Sequence, residues 1–211
     1  MNAELVQRLL DINREFYTRL AQAFSNSRPA ERVYVEPIMP YLADGVKVLD
    51  VGCGNGRTAL RLDGAGYALH YIGVDASPQL LKIAQAAALR HIQAAYIQAD
   101  VSAPAWTEPL REHAPFDLAL ALAVLHHLPG FDLRCRVLRD VRALLHPGGA
   151  LLLSNWQFTR SARLRARFAA AAEAERRDVA SELASVGARH VVLGTDGDWL
   201  RPLVAFLMRS R

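Results

Sequence analysis

Asp50, Gly52, Gly54 and Gly56 stand at alternate positions in Val48-Leu49-Asp50-Val51-Gly52-Cys53-Gly54-Asn55-Gly56. Glycines at that spacing let a backbone turn sharply and come close to a ligand. The helix that must follow offers free N–H groups at its start. An acid at the end of a strand attracts an ammonium, and the loop N–H groups or Arg57 can take a carboxylate. A dinucleotide fingerprint, G-x-G-x-x-G, requires glycine or alanine at its third slot. Counted from Gly52 and Gly54 that slot is Arg57, which would crowd a pyrophosphate. A ligand with an ammonium and a carboxylate therefore fits better than one with a diphosphate. A nicotinamide-dependent oxidoreductase stays as the alternative.

Further acids recur at the ends of later apolar runs. Asp75 closes Gly73-Val74-Asp75-Ala76-Ser77, 21 residues beyond Gly54. An acid about 20 residues past such a loop bonds ribose hydroxyls. Asp100, in Gln98-Ala99-Asp100-Val101, is placed to accept from an adenine amino group, or else is a solvated loop aspartate. His126 and His127 follow the next apolar run. Neighbouring residues point different ways, so only one serves a given site. His126 is assigned to the acceptor pocket as a candidate base, with loop packing as the alternative. No further ligands sit at metal spacing, so no metal site is expected. Trp156 stacks a planar base or caps the core. Arg160, Arg163 and Arg167 share one helical face that either holds phosphates or is simply solvated.

The elements that position these residues alternate. Apolar runs at 46–51, 70–74, 94–99, 116–122 and 150–154 read as strands. Helices are expected at 57–62, from Ser77-Pro78 onward, and through Leu133, Val137, Val141 and Leu144 to a stop at Pro147-Gly148-Gly149. At the N-terminus Leu5, Leu9, Ile12, Phe16 and Leu20 make one apolar stripe on a helix over 1–28. Residues 160–186 read as a helix, and 190–193 and 203–208 as an antiparallel hairpin. The fold class is α/β: a Rossmann-like doubly wound seven-stranded sheet, mostly parallel with an antiparallel last strand, and helices on both faces.

These segments together resemble the class I S-adenosylmethionine-dependent methyltransferases. VLDVGCGNGR (48–57), GVDAS (73–77), QADV (98–101), FDLALALAVLHHL (116–128) and LLHPGGALLLSNWQF (144–158) carry the likeness. The resemblance implies S-adenosyl-L-methionine as cofactor and S-adenosyl-L-homocysteine as product. It places the cofactor on Asp50, Gly52, Cys53, Gly54, Gly56, Arg57, Asp75, Ala76, Asp100, Val101 and Ala123. A narrower likeness is to the tRNA wobble-uridine methyltransferases and their bacterial relatives. It rests on the NGR after the glycines, on AVLHHL, on Asn155-Trp156-Gln157, and on Phe16-Tyr17 and Ser27-Arg28. It implies an N-terminal helical lid segment, 1–43, over a cofactor-binding domain, 44–211, with Tyr17, Arg28 and Trp156 near the substrate. The chain departs from these relatives after Gln157, where about thirty residues stand before Gly187.

The expected reaction is methyl transfer to a nucleophilic O or N of a tRNA base modification or a small molecule. Placing the acceptor in line supplies much of such a rate enhancement. A base is needed only where the acceptor must lose a proton. The motif of amino-directed base methylation is missing, since its place reads Ala123-Val124-Leu125-His126. Cys53 and Cys135 are not placed to attack a cytosine. A third possibility is a catalytically silent subunit that needs a protein partner.

Composition sets the outer limits. The 211 residues are 52% apolar and 22% charged, which excludes a disordered chain. No apolar run approaches the ~20 residues of a membrane span, so no membrane partner is expected. The start, MNAELVQRLLDINREF, does not read as a secretory signal, and two cysteines suit a reducing cytoplasm. The net charge of +4 permits an anionic partner without demanding one.

Overall fold

Five apolar runs pair into one parallel sheet: β1 (Lys47–Val51), β2 (His70–Asp75), β3 (Gln93–Gln98), β4 (Phe116–Leu122) and β5 (Leu145–Ser154). Their order is β3-β2-β1-β4-β5, so the chain reverses direction across the sheet between β1 and β4. In open α/β sheets ligands bind beyond the strand ends at such a switch point. The computed structural model describes residues 2–27 and 35–155, together with helical positions 166, 169, 170, 173, 174, 177 and 181. The chain divides into two units, Met1–Trp156 and Gln157–Arg211.

In the first unit the helices are α1 (Ala3–Arg19), α2 (Ala21–Asn26), α3 (Arg57–Gly64), α4 (Pro78–Gln85) and α5 (Phe131–Leu144). Alternate strand residues feed opposite faces. Leu49, Val51, Ile72 and Val74 pack with Val137, Val141 and Leu144 of α5. Val48, Tyr71, Leu118 and Leu120 pack with Ala59 and Leu62 of α3. The sheet is thus covered on both faces, as a parallel sheet requires. Asp63 of α3 accepts from the backbone N–H groups of Arg90, His91 and Ile92, which fixes the chain's entry into β3. Burial would raise this carboxyl, but those N–H groups hold it below its ordinary range.

The structure places the N-terminal stripe and corrects two expectations. The stripe of Leu5, Leu9, Ile12, Phe16 and Leu20 faces outward, between 36% and 54% exposed, and α1 buries no residue fully. Its other face, with Leu10, Asn13 and Tyr17, turns inward. The helix read over 1–28 breaks at Leu20, whose φ of −109° and ψ of 14° separate α1 from α2. Pro147-Gly148-Gly149 does not lie before the last described strand but within it. β5 starts at Leu145, paired with Phe116, and a register shift there absorbs the proline and both glycines.

The other strands fall within a residue or so of their expected limits. Positions 166–181 that are described are helical, in line with the helix read over 160–186. The hairpin read at 190–193 and 203–208 lies outside the described residues, as do Arg28, Trp156, Arg160, Arg163 and Arg167. Among the described residues no helix is long and apolar enough to cross a membrane.

Candidate active site

The loop after β1 is shaped by its glycines. Gly54 has φ +57°, and a side chain there would meet nothing within 4 Å, because the position opens onto a cavity. Gly56 caps α3 at φ +72°, and a Cβ on it would stand 2.8 Å from the Cβ of Ala84. Gly54 therefore gives a ligand access, whereas Gly56 lets α3 and α4 close on each other. Gly54→Val puts a β-branched residue in the left-handed region and a methyl pair into the cavity. It is expected to abolish S-adenosylhomocysteine binding in calorimetry while circular dichroism stays native.

The cavity encloses about 260 Å³ above the ends of β1, β2, β3 and β4. Asp75 ties its parts together. One carboxylate oxygen accepts from the N–H of Gly54 at 2.9 Å, the other from the N–H of Ser77 at 2.8 Å. The N–H of Ala76 is a third donor to this carboxylate, which still leaves one of its roughly four lone-pair sites for a ligand. Burial raises the Asp75 carboxyl above its ordinary range despite the N–H groups around it. Ser77 caps α4 by accepting from the N–H of Leu80. Leu80, Ala99 and Val101 add apolar wall beside Asp75 and Asp100.

Asp50 sits deeper, 2% exposed, and takes a hydrogen bond from the hydroxyl of Tyr71. Burial pushes its carboxyl up to about 7. Burial also raises the Cys53 thiol well above its ordinary value, so Cys53 is a neutral wall residue and no nucleophile. Asp100 is bound on both oxygens. One accepts from the N–H and hydroxyl of Ser102, at 2.8 and 2.6 Å. The other accepts from Nε of Arg14 at 2.8 Å. Partial burial alone would raise Asp100, but these partners hold it below the ordinary carboxylate range.

Beyond β4 the backbone turns back at Ala123, a non-glycine residue at φ 60°. A 3-10 turn, Leu125–His127, follows. It brings His127, not His126, onto the cavity wall. The phenol of Tyr17 lies 2.9 Å from Nε2 of His127, and the side chain of Asn13 donates to the His127 carbonyl at 2.9 Å. On the loop side, Asn55 donates to the hydroxyl of Ser25 in α2 at 2.8 Å. The N-terminal helices are thus hydrogen-bonded to three separate parts of the rim.

Of the residues expected on the cofactor, the structure gathers Asp50, Gly52, Cys53, Gly54, Arg57, Asp75, Ala76, Asp100, Val101 and Ala123 around one cavity, with Tyr17. Gly56 stands behind it as a packing residue. His126 does not line it. Sequence reasoning missed Asn13, Arg14, Phe24, Thr58 and Tyr71. Leu10, Asn13, Arg14 and Tyr17 recur at three- and four-residue steps. That second helical face is written in the sequence beside the more apolar stripe.

The family model of a methyltransferase domain matches residues 49–151, the stretch that builds the sheet and this cavity. Over that stretch the chain resembles the S-adenosylmethionine-dependent methyltransferases. It is 31% identical over 140 residues to the tRNA (carboxymethyluridine(34)-5-O)-methyltransferase of Arabidopsis thaliana, covering 66% of this chain and 31% of that protein. It is 33% identical over 129 residues to a ubiquinone biosynthesis O-methyltransferase of Xylella fastidiosa, covering 60% of this chain and 47% of the other. The chain thus spans less than half the length of either relative. In fold it is similar to the solved magnesium protoporphyrin IX methyltransferase of Synechocystis PCC 6803 with bound SAM, at 19% identity and a TM-score of 0.50, covering 69% of this chain and 74% of that one.

The residues present fit the methyltransferase cofactor. A buried carboxyl faces the cavity where an ammonium would lie, and a second at the end of β2 lines it too. An apolar slot stands beside them, and Gly54 leaves the space that a Cβ would fill.

Proposed function

We propose that this chain transfers a methyl group from S-adenosyl-L-methionine to an oxygen or nitrogen of a tRNA base modification or a small molecule. The observation that carries this is the junction at Asp75. One carboxylate joins the glycine loop to the end of β2 and still faces the cavity. The comparisons favour neither a nicotinamide-dependent oxidoreductase nor a silent subunit. In this reading 44–211 forms the catalytic domain of a seven-stranded sheet with an antiparallel last strand. The segment 1–43 is its lid, supported by the bonds of Asn13, Arg14, Tyr17 and Ser25 to the cavity rim. The protein works in the cytoplasm.

When bound, the cofactor supplies an electrophilic methyl group on a sulfonium. The chain's own residues then divide the remaining work. Asp75 binds ribose hydroxyls, and Asp50 and Arg57 hold the amino-acid end. Asp75 and Asp100, at the ends of β2 and β3, would hold the nucleoside, which would leave the space over β4 for the acceptor. Tyr17 and His127 stand there and can take a proton from a hydroxyl or amine. A carboxylate acceptor would ask nothing of them. The N-terminal helices exclude water from above.

The acceptor is open between RNA and a small molecule, and each has a relative on its side. Labelled S-adenosylmethionine incubated with fractionated cell extract separates them. Label in the RNA fraction that disappears with RNase is expected for the tRNA reading. RNase-resistant label in the small-molecule fraction assigns the second. No uptake in any fraction would contradict both.

A further inference from the structure

The cavity floor contains an arrangement that methyl transfer alone does not require. Tyr71 lies on β2 and is 0% exposed. A tyrosine buried to that degree needs a hydroxyl partner. Its partner is the carboxylate of Asp50 on the neighbouring strand. The strands are in register with Asp50 opposite Gly73, and Gly73 opposite Tyr96. A Cβ on Gly73 would stand 2.8 Å from the Tyr96 ring and 2.9 Å from the Cys53 sulfur. Gly73 therefore leaves the room in which two tyrosines, a thiol and an acid meet beneath the glycine loop.

We propose that Tyr71 is a positioning residue for the cofactor's amino-acid end: its hydroxyl grips Asp50, aims the carboxylate at the ammonium, and couples capture of that ammonium to loss of a proton from Asp50. This rests on the reading that the cavity binds S-adenosylmethionine. The electrostatics agree with the geometry. Burial lifts Asp50 to about 7, and the Tyr71 hydroxyl is the strongest influence pulling it back down. Asp75 on β2 pushes it up, while Thr58 and Arg57 on α3 pull it down. Cys53 and Tyr96 complete its titratable surroundings, and burial raises both above their ordinary values. His127 lines the same cavity from the β4 side.

Below about pH 7 the empty site holds a neutral Asp50, and binding an ammonium must first expel that proton. Affinity for a ligand with the ammonium therefore falls as pH drops, by up to tenfold per unit. A ligand without it does not follow that slope. Removing the tyrosine hydroxyl raises Asp50 further and moves the transition to higher pH. Phenylalanine keeps the ring and its packing.

The test is calorimetry across about pH 5.5 to 8.5, with wild type and Tyr71→Phe. The two probes are S-adenosylhomocysteine and 5′-methylthioadenosine, which has the same nucleoside but no amino-acid end. Any effect of His127 on the nucleoside appears with both ligands. The expected result is S-adenosylhomocysteine affinity that falls below about pH 7, with proton release seen as buffer-dependent heat, while methylthioadenosine stays flat. In Tyr71→Phe the midpoint moves up and neutral-pH affinity for S-adenosylhomocysteine drops about tenfold, recovering at high pH. A variant that weakens both ligands equally, or leaves the profile where it was, overturns the proposal. Should Tyr71→Phe not fold, the wild-type profile decides: parallel slopes for the two ligands overturn it. If neither ligand binds the wild type, the cofactor reading falls and takes this inference with it.

Discussion

Asp75→Ala lowers the affinity for S-adenosylhomocysteine by about a hundredfold in a protein that still folds. A hydrogen-bonded charge of this kind contributes roughly 1.5–3 kcal/mol, which is about ten- to a hundredfold in affinity. The upper end is expected because Asp75 does two jobs. Beyond any ribose contact it binds the N–H groups of Gly54 and Ser77. Alanine removes the ligand contact and frees the glycine loop together. Asp75→Asn separates the two, since the amide keeps one acceptor oxygen and replaces the other by a donor. It can hold one of the two N–H groups but not both, and a loss nearer tenfold follows. Calorimetry with each variant, with melting curves to confirm folding, measures both. Unchanged affinity in a folded Asp75→Ala protein would remove Asp75 from the site.

Asp50→Asn is expected to trade binding for stability. The Asp50 carboxyl is raised from 3.8 to about 7 by burial. The folded protein thus holds this proton more tightly than the unfolded chain. The resulting cost to stability is absent below about pH 4, grows through the interval, and is complete above about pH 7. A shift of that size corresponds to roughly 4 kcal/mol as an upper bound. Asparagine can still accept from Tyr71 but carries no charge. The ligand-free variant should therefore melt several degrees higher than wild type at about pH 8 and about equally at pH 4. At the same time it should lose most of its affinity for S-adenosylhomocysteine and little for methylthioadenosine. A variant less stable than wild type at both pH values would show that Asp50 is not a buried, strained acid.

The sheet was legible because its signal is local. Each strand is a short apolar run bounded by an acid, a glycine or a polar turn, and β4 matches its expected limits at both ends. The residues that line the cavity were legible for the same reason, since many of them end those runs. What the sequence leaves undecided depends on the third dimension. The stripe from Leu5 to Leu20 has the period of a core face, yet α1 turns Leu10 and Tyr17 to the cavity because Tyr17 and Asn13 bond His127 there. His126 and His127 differ by one position in a tight turn, and only the reversal at Ala123 decides which one reaches the wall. Pro147-Gly148-Gly149 carries every mark of a turn, but pairing of Leu145 with Phe116 draws it into β5. Tyr71 reads as an ordinary strand residue until Asp50 is seen beside it. Asp100 ends its run like Asp75, and only the fold shows that Arg14 and Ser102 bond it.

The most direct test of the central claim is calorimetric titration of the purified chain with S-adenosylhomocysteine and, separately, with NAD. The cavity with its two facing carboxyls, its open Gly54 and Arg57 at the slot where a dinucleotide needs glycine predicts one site of micromolar affinity for S-adenosylhomocysteine and no heat with NAD. Saturable binding of NAD without binding of S-adenosylhomocysteine would contradict it.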